Sequence, residues 1–430
     1  MAAPAASWSR PAEPREVAVA AVLAAALFTA CWALLHVGLW ERVQIRDTAV
    51  YARYGDAMAQ GAVPYRDFRP EYPPAALPAF VVPSLAAGAG APRERYEHAF
   101  EWLMLACGLA LVLLVAGTLA VLQATRARVA LALTLLAGMP AALGSVVLSR
   151  FDLWPAALAA AALLALLAGR DVVGAAVLAV AVAAKLYPAV LAPLAAVWIW
   201  RRRGRRAAVV AGAAFAGVLL ALVLPFLVVA PEGLAASVWR QLRRPLQIES
   251  LGAATLVALH HAGAVAVEMR ASAGSQNIAG RTGVVVGLLH TAVQAGVLMW
   301  LWLRFARGPA DPERLVRYSA AAVLAFVALG KVLSPQFLVW LVPLVALVGG
   351  RRGLLAGALL AAALVVTQLW FPFRYWEYAR EFDGTVTALV LVRDLVLVAT
   401  LAILAGPLRP RLRTGCQDAS EPGALRASGS

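Results

Sequence analysis

Lysine is almost absent from this chain. Of 38 basic residues, 36 are arginine and two, Lys185 and Lys331, carry an ammonium. Charge of either sign is sparse, at 14% against 62% hydrophobic residues. With a mean hydropathy of +0.78, that poverty excludes a soluble domain of this length, which could not hide so much apolar surface. Cysteine is scarce as well. Cys31 and Cys107 fall in apolar stretches and Cys416 in a polar tail, with no CxxC and no metal spacing, so neither a disulfide framework nor a thiolate metal site is expected. The five histidines include the adjacent pair His260 and His261, but a third ligand at metal spacing is missing, and no metal site is expected. Walker A, Rossmann glycine, HExxH and GxSxG patterns are all lacking. No soluble nucleotide-dependent domain and no cofactor are therefore expected.

Apolar runs are what the chain has instead. They cover roughly 16–39, 98–122, 129–148, 153–168, 172–184, 187–200, 207–230, 282–304, 316–332, 336–349, 354–371 and 386–406, several of them shorter than the ~20 residues of a perpendicular span. Short basic runs flank them: Arg126/Arg128, Arg201–Arg206, Arg304–Arg317, Arg351/Arg352 and Arg409–Arg413. This is the positive-inside pattern, with attraction to anionic membrane lipid as a by-product. The net charge of +15 thus reads as membrane orientation, and nucleic acid is not an expected partner.

Both lysines precede a proline, in Lys185-Leu-Tyr187-Pro188 and Lys331-Val-Leu-Ser334-Pro335-Gln336. Proline ends or kinks a helix. Breaking the chain at both places keeps the arginine clusters on one side of the membrane. The reading is an all-α polytopic membrane protein of about twelve transmembrane helices. Residues 1–15 form a cytoplasmic tail, 16–406 the membrane domain, and 407–430 a polar, disordered cytoplasmic tail. A segment at 76–90, with Pro78 and Pro83, reads as interfacial or re-entrant. Residues 40–97, 231–281 and 372–385 gather on the outer face, which in a bacterium is the outer side of the inner (plasma) membrane. Most of the remaining polar chemistry lies there.

Asp47 opens a stretch, 48–60, with helical spacing. It reads as an N-cap, as a carboxylate poised as a general base, or as both. Asp56, later in the same stretch, keeps a second acid open for the base. Tyr51, Tyr65, Asp67, Glu71 and Tyr72 add aromatics, which stack on sugar faces, and carboxylates, which accept from sugar hydroxyls. The bland alternative is an interfacial aromatic belt with solvated loop acids. Arg150 and Asp152 open the fourth span. They pair with each other or with headgroups, or Arg150 joins Lys185 and Lys331 in a cluster suited to phosphate. Tyr187 and Gln336 sit in the two proline breaks. The loop Arg244-Pro-Leu-Gln247-Ile-Glu249 and His260 complete the candidates.

In that order and on one face, these residues resemble the GT-C glycosyltransferases, and in particular glycosyltransferase family 87 (domain-of-unknown-function family 2029). Four stretches carry the resemblance: Asp47 to Pro74, Arg150 through Pro188, Arg244 to Ser250, and Lys331 to Phe337. The resemblance implies a GT-C-type helical arrangement with an extracytoplasmic catalytic loop. It implies a mannosyltransferase-like enzyme that moves a hexose, most often mannose, from a polyprenyl-phosphate donor to a glycolipid or cell-envelope glycan. Asp47 occupies the position of the family's catalytic acid, and Lys185, Lys331 and Arg150 are expected on the donor phosphate. The other candidates named above are expected on substrate. A lipid transporter or flippase is the main rival, since broken helices carrying charges are a transporter feature. A non-catalytic glycolipid scaffold is a third reading.

Overall fold

A backbone surrounded by apolar side chains has no water to bond to, so it must satisfy its amides internally, and helix does this within one segment. The structure is a computed structural model and describes residues 9–406; the start of the expected inner tail and all of the tail from 407 lie outside the described residues. In chain order the helices are α1 (Pro14–Leu34), α2 (Thr48–Ala59), α3 (Pro78–Ala87), α4 (Arg93–Val121), α5 (Arg126–Ala137), α6 (Leu153–Leu167), α7 (Asp171–Ala184) and α8 (Ala192–Val229). They continue as α9 (Pro231–Leu242), α10 (Leu251–His261), α11 (Gly280–Arg307), α12 (Pro312–Ala328), α13 (Leu338–Ala346), α14 (Gly350–Gln368), α15 (Tyr375–Glu381) and α16 (Gly384–Ala405). Shorter helical turns link them. One antiparallel hairpin, β1 (Met269–Ser272) with β2 (Ser275–Ile278), pairs Met269 with Ile278 and closes at Ser272 and Ser275.

Six helical stretches among the described residues are long and apolar enough to cross a membrane: α1, α4, Tyr187–Val229, α11, α14 and α16. Shorter apolar helices, α6 and α7 among them, pack between these. The protein is thus a multi-pass membrane protein built almost wholly of helices, as its composition requires.

Both proline breaks are present. α7 stops at Ala184, Lys185 is extended, and a 3-10 turn from Tyr187 leads into α8. α12 ends at Ala328, and Ser334 is extended ahead of Pro335, the conformation imposed on a residue before proline. α8 is itself two arms, 192–203 and 205–229. They meet at Gly204, whose φ of 84° only glycine adopts at little cost, inside the run Arg201–Arg206.

The centre of the bundle is α12 with α13, buried along nearly their whole lengths. At the rim, the second arm of α8 buries Ala211 and little else, and Val228 and Leu288 of α11 turn their apolar surface outward. The two ends of the bundle differ in chemistry. At one end the arginine runs are tied to each other and to both ends of the described chain: Arg126 to Glu16, Arg128 to Glu313, Arg203 to Asp171, and Arg317 to the Gly406 carbonyl. The opposite end gathers Asp47, Arg150, Asp152, Lys185 and the loop before α10.

Candidate active site

Asp47 stands immediately before α2, yet its side chain makes no cap hydrogen bond. Its carboxylate pairs instead with the guanidinium of Arg150 and accepts a 3.5 Å hydrogen bond from the Tyr51 hydroxyl. The residues on either side are pinned by one acid on α4. Arg46 Nη1 lies 2.5 Å from Glu97 Oε2, and Thr48 Oγ1 donates to Glu97 Oε1 at 2.7 Å. Arg93 Nε donates to the same Oε1 at 2.7 Å. Asp47 is thereby held from both neighbours while its own carboxylate stays one-third exposed.

An aromatic floor lies beneath it. Tyr51 is buried and stacks on Phe80 at 4.7 Å, and Tyr72 meets Phe151 edge-on at 4.8 Å. The Tyr65 hydroxyl donates to the Tyr72 carbonyl at 2.6 Å. α9 fastens the same loop from above: Ser237 Oγ donates to the Pro70 carbonyl, Gln241 Nε2 donates to that of Glu71, and Arg240 lies 3.8 Å from the Glu71 carboxylate.

Arg150 and Asp152 flank Phe151 at the start of α6. Arg150 is 8% exposed, and burial pulls its guanidinium down to about 10, opposed by the charges of Asp152 and Glu249, so it remains a cation at neutral pH. Asp152 is 1% exposed. Its Oδ1 accepts from Lys185 Nζ and from Trp340 Nε1, both at 2.6 Å. Lys185 Nζ also sits 4.6 Å from the Phe151 ring centroid and 4.9 Å from that of Trp340. Trp340 is sandwiched between Tyr187 and Phe337, each with ring centroids 4.1 Å away. Lys185 is therefore a paired cation in an aromatic cage.

The third wall is the loop from Arg244 to Ser250. Gln247 donates through its backbone N–H to the Lys331 carbonyl at 2.9 Å and through its side chain to Glu249. Arg244 Nη2 donates to Gln247 Oε1 at 3.5 Å. Glu249 is 2% exposed, and burial pushes its carboxyl up to about 7 against the pull of Arg393, Gln247, Arg150 and Arg244. Lys331 is half-exposed and donates from Nζ to the Leu242 carbonyl at 3.0 Å; burial and the neighbouring Arg244 both depress its ammonium.

The structure brings together Asp47, Tyr51, Tyr72, Arg150, Asp152, Lys185, Arg244, Gln247, Glu249 and Lys331. Other candidates have different surroundings. Asp56 lies nine residues along α2 from Asp47, which turns it about 180° round the helix, and there it accepts from the Gly90 N–H at 3.4 Å. Asp67 is engaged by Arg66 and by the Val63 N–H, which hold its carboxyl down at about 2 in an exposed turn. His260 bonds the Val265 carbonyl at 3.0 Å, and Gln336 accepts from Ser334 Oγ at 2.6 Å.

Several residues of the site escaped the sequence reading. Glu97 and Trp340 gave no signal, because the partners that tie them to the site, Arg46 and Thr48 for Glu97 and Asp152 for Trp340, are distant in sequence. Arg393 and Asp394 did offer one: two adjacent charges within an otherwise apolar run. They form a fully buried ion pair at 2.7 Å, and Arg393 Nη2 donates to the Glu249 carbonyl at 2.8 Å. Tyr378 donates to the next carbonyl back, that of Ile248, at 2.7 Å.

Among solved structures the chain is similar to ArnT from Cupriavidus metallidurans bound to undecaprenyl phosphate, with TM-score 0.49 and 16% identity over 92% of this chain and 77% of that one. It is similar also to the oligosaccharyltransferase of Archaeoglobus fulgidus in complex with Zn and sulfate, with TM-score 0.39 and 14% identity over 91% and 54%. No curated protein matches. The sequence profile of glycosyltransferase family 87 matches residues 71–335, more than half of the chain. The match takes in Arg150, Asp152, Lys185, Arg244, Glu249 and Lys331 and begins after Asp47. The chain belongs to glycosyltransferase family 87.

Proposed function

We propose that this glycosyltransferase moves a hexose, mannose in the first instance, from a polyprenyl-phosphate donor to a glycolipid or cell-envelope glycan. The reaction would take place on the extracytoplasmic face of a bacterial inner membrane, with both termini cytoplasmic. The arginine-rich end opposite the site supports that orientation. A lipid-linked donor suits a site built at the end of a bundle of apolar helices, where a phosphate can reach cationic side chains while its prenyl chain stays in the bilayer.

One observation carries the reading. A carboxylate that is one-third exposed, Asp47, borders a wall in which Arg150, Lys185, Arg244 and Lys331 converge. Asp47 takes the proton of the acceptor hydroxyl as that oxygen attacks the anomeric carbon. The bond from the anomeric carbon to the phosphate oxygen breaks, and its electron pair leaves with polyprenyl phosphate. Arg150, Arg244 and Lys331 stabilise the charge that develops there. Lys185, held by Asp152, offsets that carboxylate's charge behind the phosphate. The single displacement inverts the anomeric centre and needs no covalent nucleophile.

Asp47 is favoured over Asp56 as the base because Asp56 faces the opposite side of α2. Membranes with and without the protein, supplied with labelled polyprenyl-phosphate mannose, test the activity. Label should enter a lipid or glycan only with the intact chain. Asp47→Asn should lower transfer by about 10²–10⁴-fold. No transfer from mannose, glucose or arabinofuranose donors would overturn the reading in favour of lipid transport.

A further inference from the structure

We propose that Arg150 is shared between two anions: it holds Asp47 until a lipid-linked phosphate enters the site, then passes to the phosphate and releases Asp47 to accept a proton. The inference rests on Asp47 being the base and adds the order in which the site assembles.

The geometry of the pair points this way. Arg150 is set in the wall, with a side chain 9% exposed, while the Asp47 side chain facing it is 33% exposed. The other carboxylates near Arg150 have partners already, Asp152 through Oδ1 alone. Asp152 Oδ1 accepts from Lys185 and Trp340, and Glu249 accepts from Gln247. Both pull on Arg150 by charge, but Asp47 is the carboxylate that forms an ion pair with it among the described residues. The rest of the guanidinium is under-used. Among the described residues its Nε is buried without a hydrogen-bond partner, and Nη2 reaches only the Ile45 carbonyl, at 3.4 Å. A guanidinium offers five N–H donors in a planar fork that fits phosphate in two-pronged fashion. Arg244 and Lys331, on the same wall, supply further charge to hold an anion there.

Two chemical consequences follow. A carboxylate bound to a guanidinium is a poor base, because the cation stabilises its charged form. Asp47 therefore gains proton affinity only when Arg150 turns away. The phosphate, in turn, gains negative charge as its bond to the sugar breaks, so its hold on Arg150 strengthens along the reaction and favours the transition state over the bound donor. An acceptor arriving without donor meets a base still neutralised by Arg150. Donor binding and proton abstraction are coupled through one side chain.

The test is a titration of the purified full-length protein in detergent with a short-chain polyprenyl monophosphate, citronellyl phosphate. If Asp47 competes with phosphate for Arg150, Asp47→Asn binds the probe about fivefold tighter than the parent, the scale of a partly exposed ion pair. The gain vanishes when Asp47→Asn is made on Arg150→Ala or Arg150→Gln, two backgrounds of different bulk. Unchanged or weaker binding by Asp47→Asn overturns the proposal. So does an equal gain in both Arg150 backgrounds, which would show simple repulsion between Asp47 and the probe. Transfer assays keep the two ideas separate: an active Asp47→Asn enzyme removes the base assignment, whereas an inactive one with no gain in affinity removes the sharing alone.

Discussion

The two lysines look alike in sequence, each a few residues ahead of a proline, and they prove to be different objects. Lys185 is held by Asp152 and three aromatic rings, while Lys331 is half-exposed and donates to a carbonyl. Their common placement at helix breaks was legible; the difference was not, because it depends on Asp152 and Trp340, remote in sequence. The variants should separate accordingly. Lys185→Ala strands a carboxylate that is 2% exposed, a change that costs about 3–5 kcal/mol, and it should lower the melting temperature measurably. Lys331→Ala should leave melting almost unchanged and raise the KM for donor. Equal melting losses in both variants would contradict this division.

Glu249 makes a prediction in pH. Its carboxyl is raised from an ordinary 4.5 to about 7, chiefly by burial, so the folded protein binds the proton more tightly than the unfolded chain does. Between those values the folded state carries more protons, and stability must fall as pH rises from about 4.5 through about 7. Glu249→Gln cannot titrate. Melting curves recorded across that range should slope downward more steeply for the parent than for the variant, and parallel slopes would refute the assignment.

Among the elements, the helices themselves were the most legible part of the fold. Apolar runs bounded by arginine or proline became helices, and the expected breaks at Lys185 and ahead of Pro335 are present. The stretch at 76–90, expected to be interfacial or re-entrant, forms α3, which packs beneath α2 through Ala79, Phe80, Pro83 and Ser84. The approach is so close that a Cβ on Gly55 would collide with the Phe80 carbonyl and with Ser84 Oγ. A backbone carbonyl has little freedom to move aside, and overpacking of this kind costs about 1–3 kcal/mol. Because α2 carries Asp47 at its head, Gly55→Ala should lower both melting temperature and transfer rate. A variant with normal melting and normal rate would show that the two helices tolerate separation. No periodicity announced this contact; glycine inside a helical pattern was the trace it left.

For the molecule as a whole, the separation of an arginine-rich end from a chemically mixed end was readable from loop composition alone. The convergence of distant segments onto one site was not. Residues near positions 47, 97, 150, 185, 249, 331 and 393 meet at that end, a pattern set by packing and beyond the reach of spacing. Arg393 and Asp394 are completely buried on α16 and form the last of these contributions. Removing one partner, as in Arg393→Met, leaves an uncompensated charge and should cost about 3–5 kcal/mol, whereas Arg393→Met with Asp394→Leu should be milder than either single change. Thermal melting of the three variants checks the coupling, and purely additive losses would disprove it.

The hydrogen bond from Arg393 to the Glu249 carbonyl has a meaning in time as well as in space. A ribosome delivers the N-terminal part of a chain first, so the segment bearing Asp47 is made long before α16 exists. Until α16 emerges, the Arg244–Ser250 loop lacks one of its anchors and the wall around Arg150 is incomplete. A chain cut short of α16 is therefore expected to hold this loop loosely, so that the wall around Arg150 closes only late in synthesis.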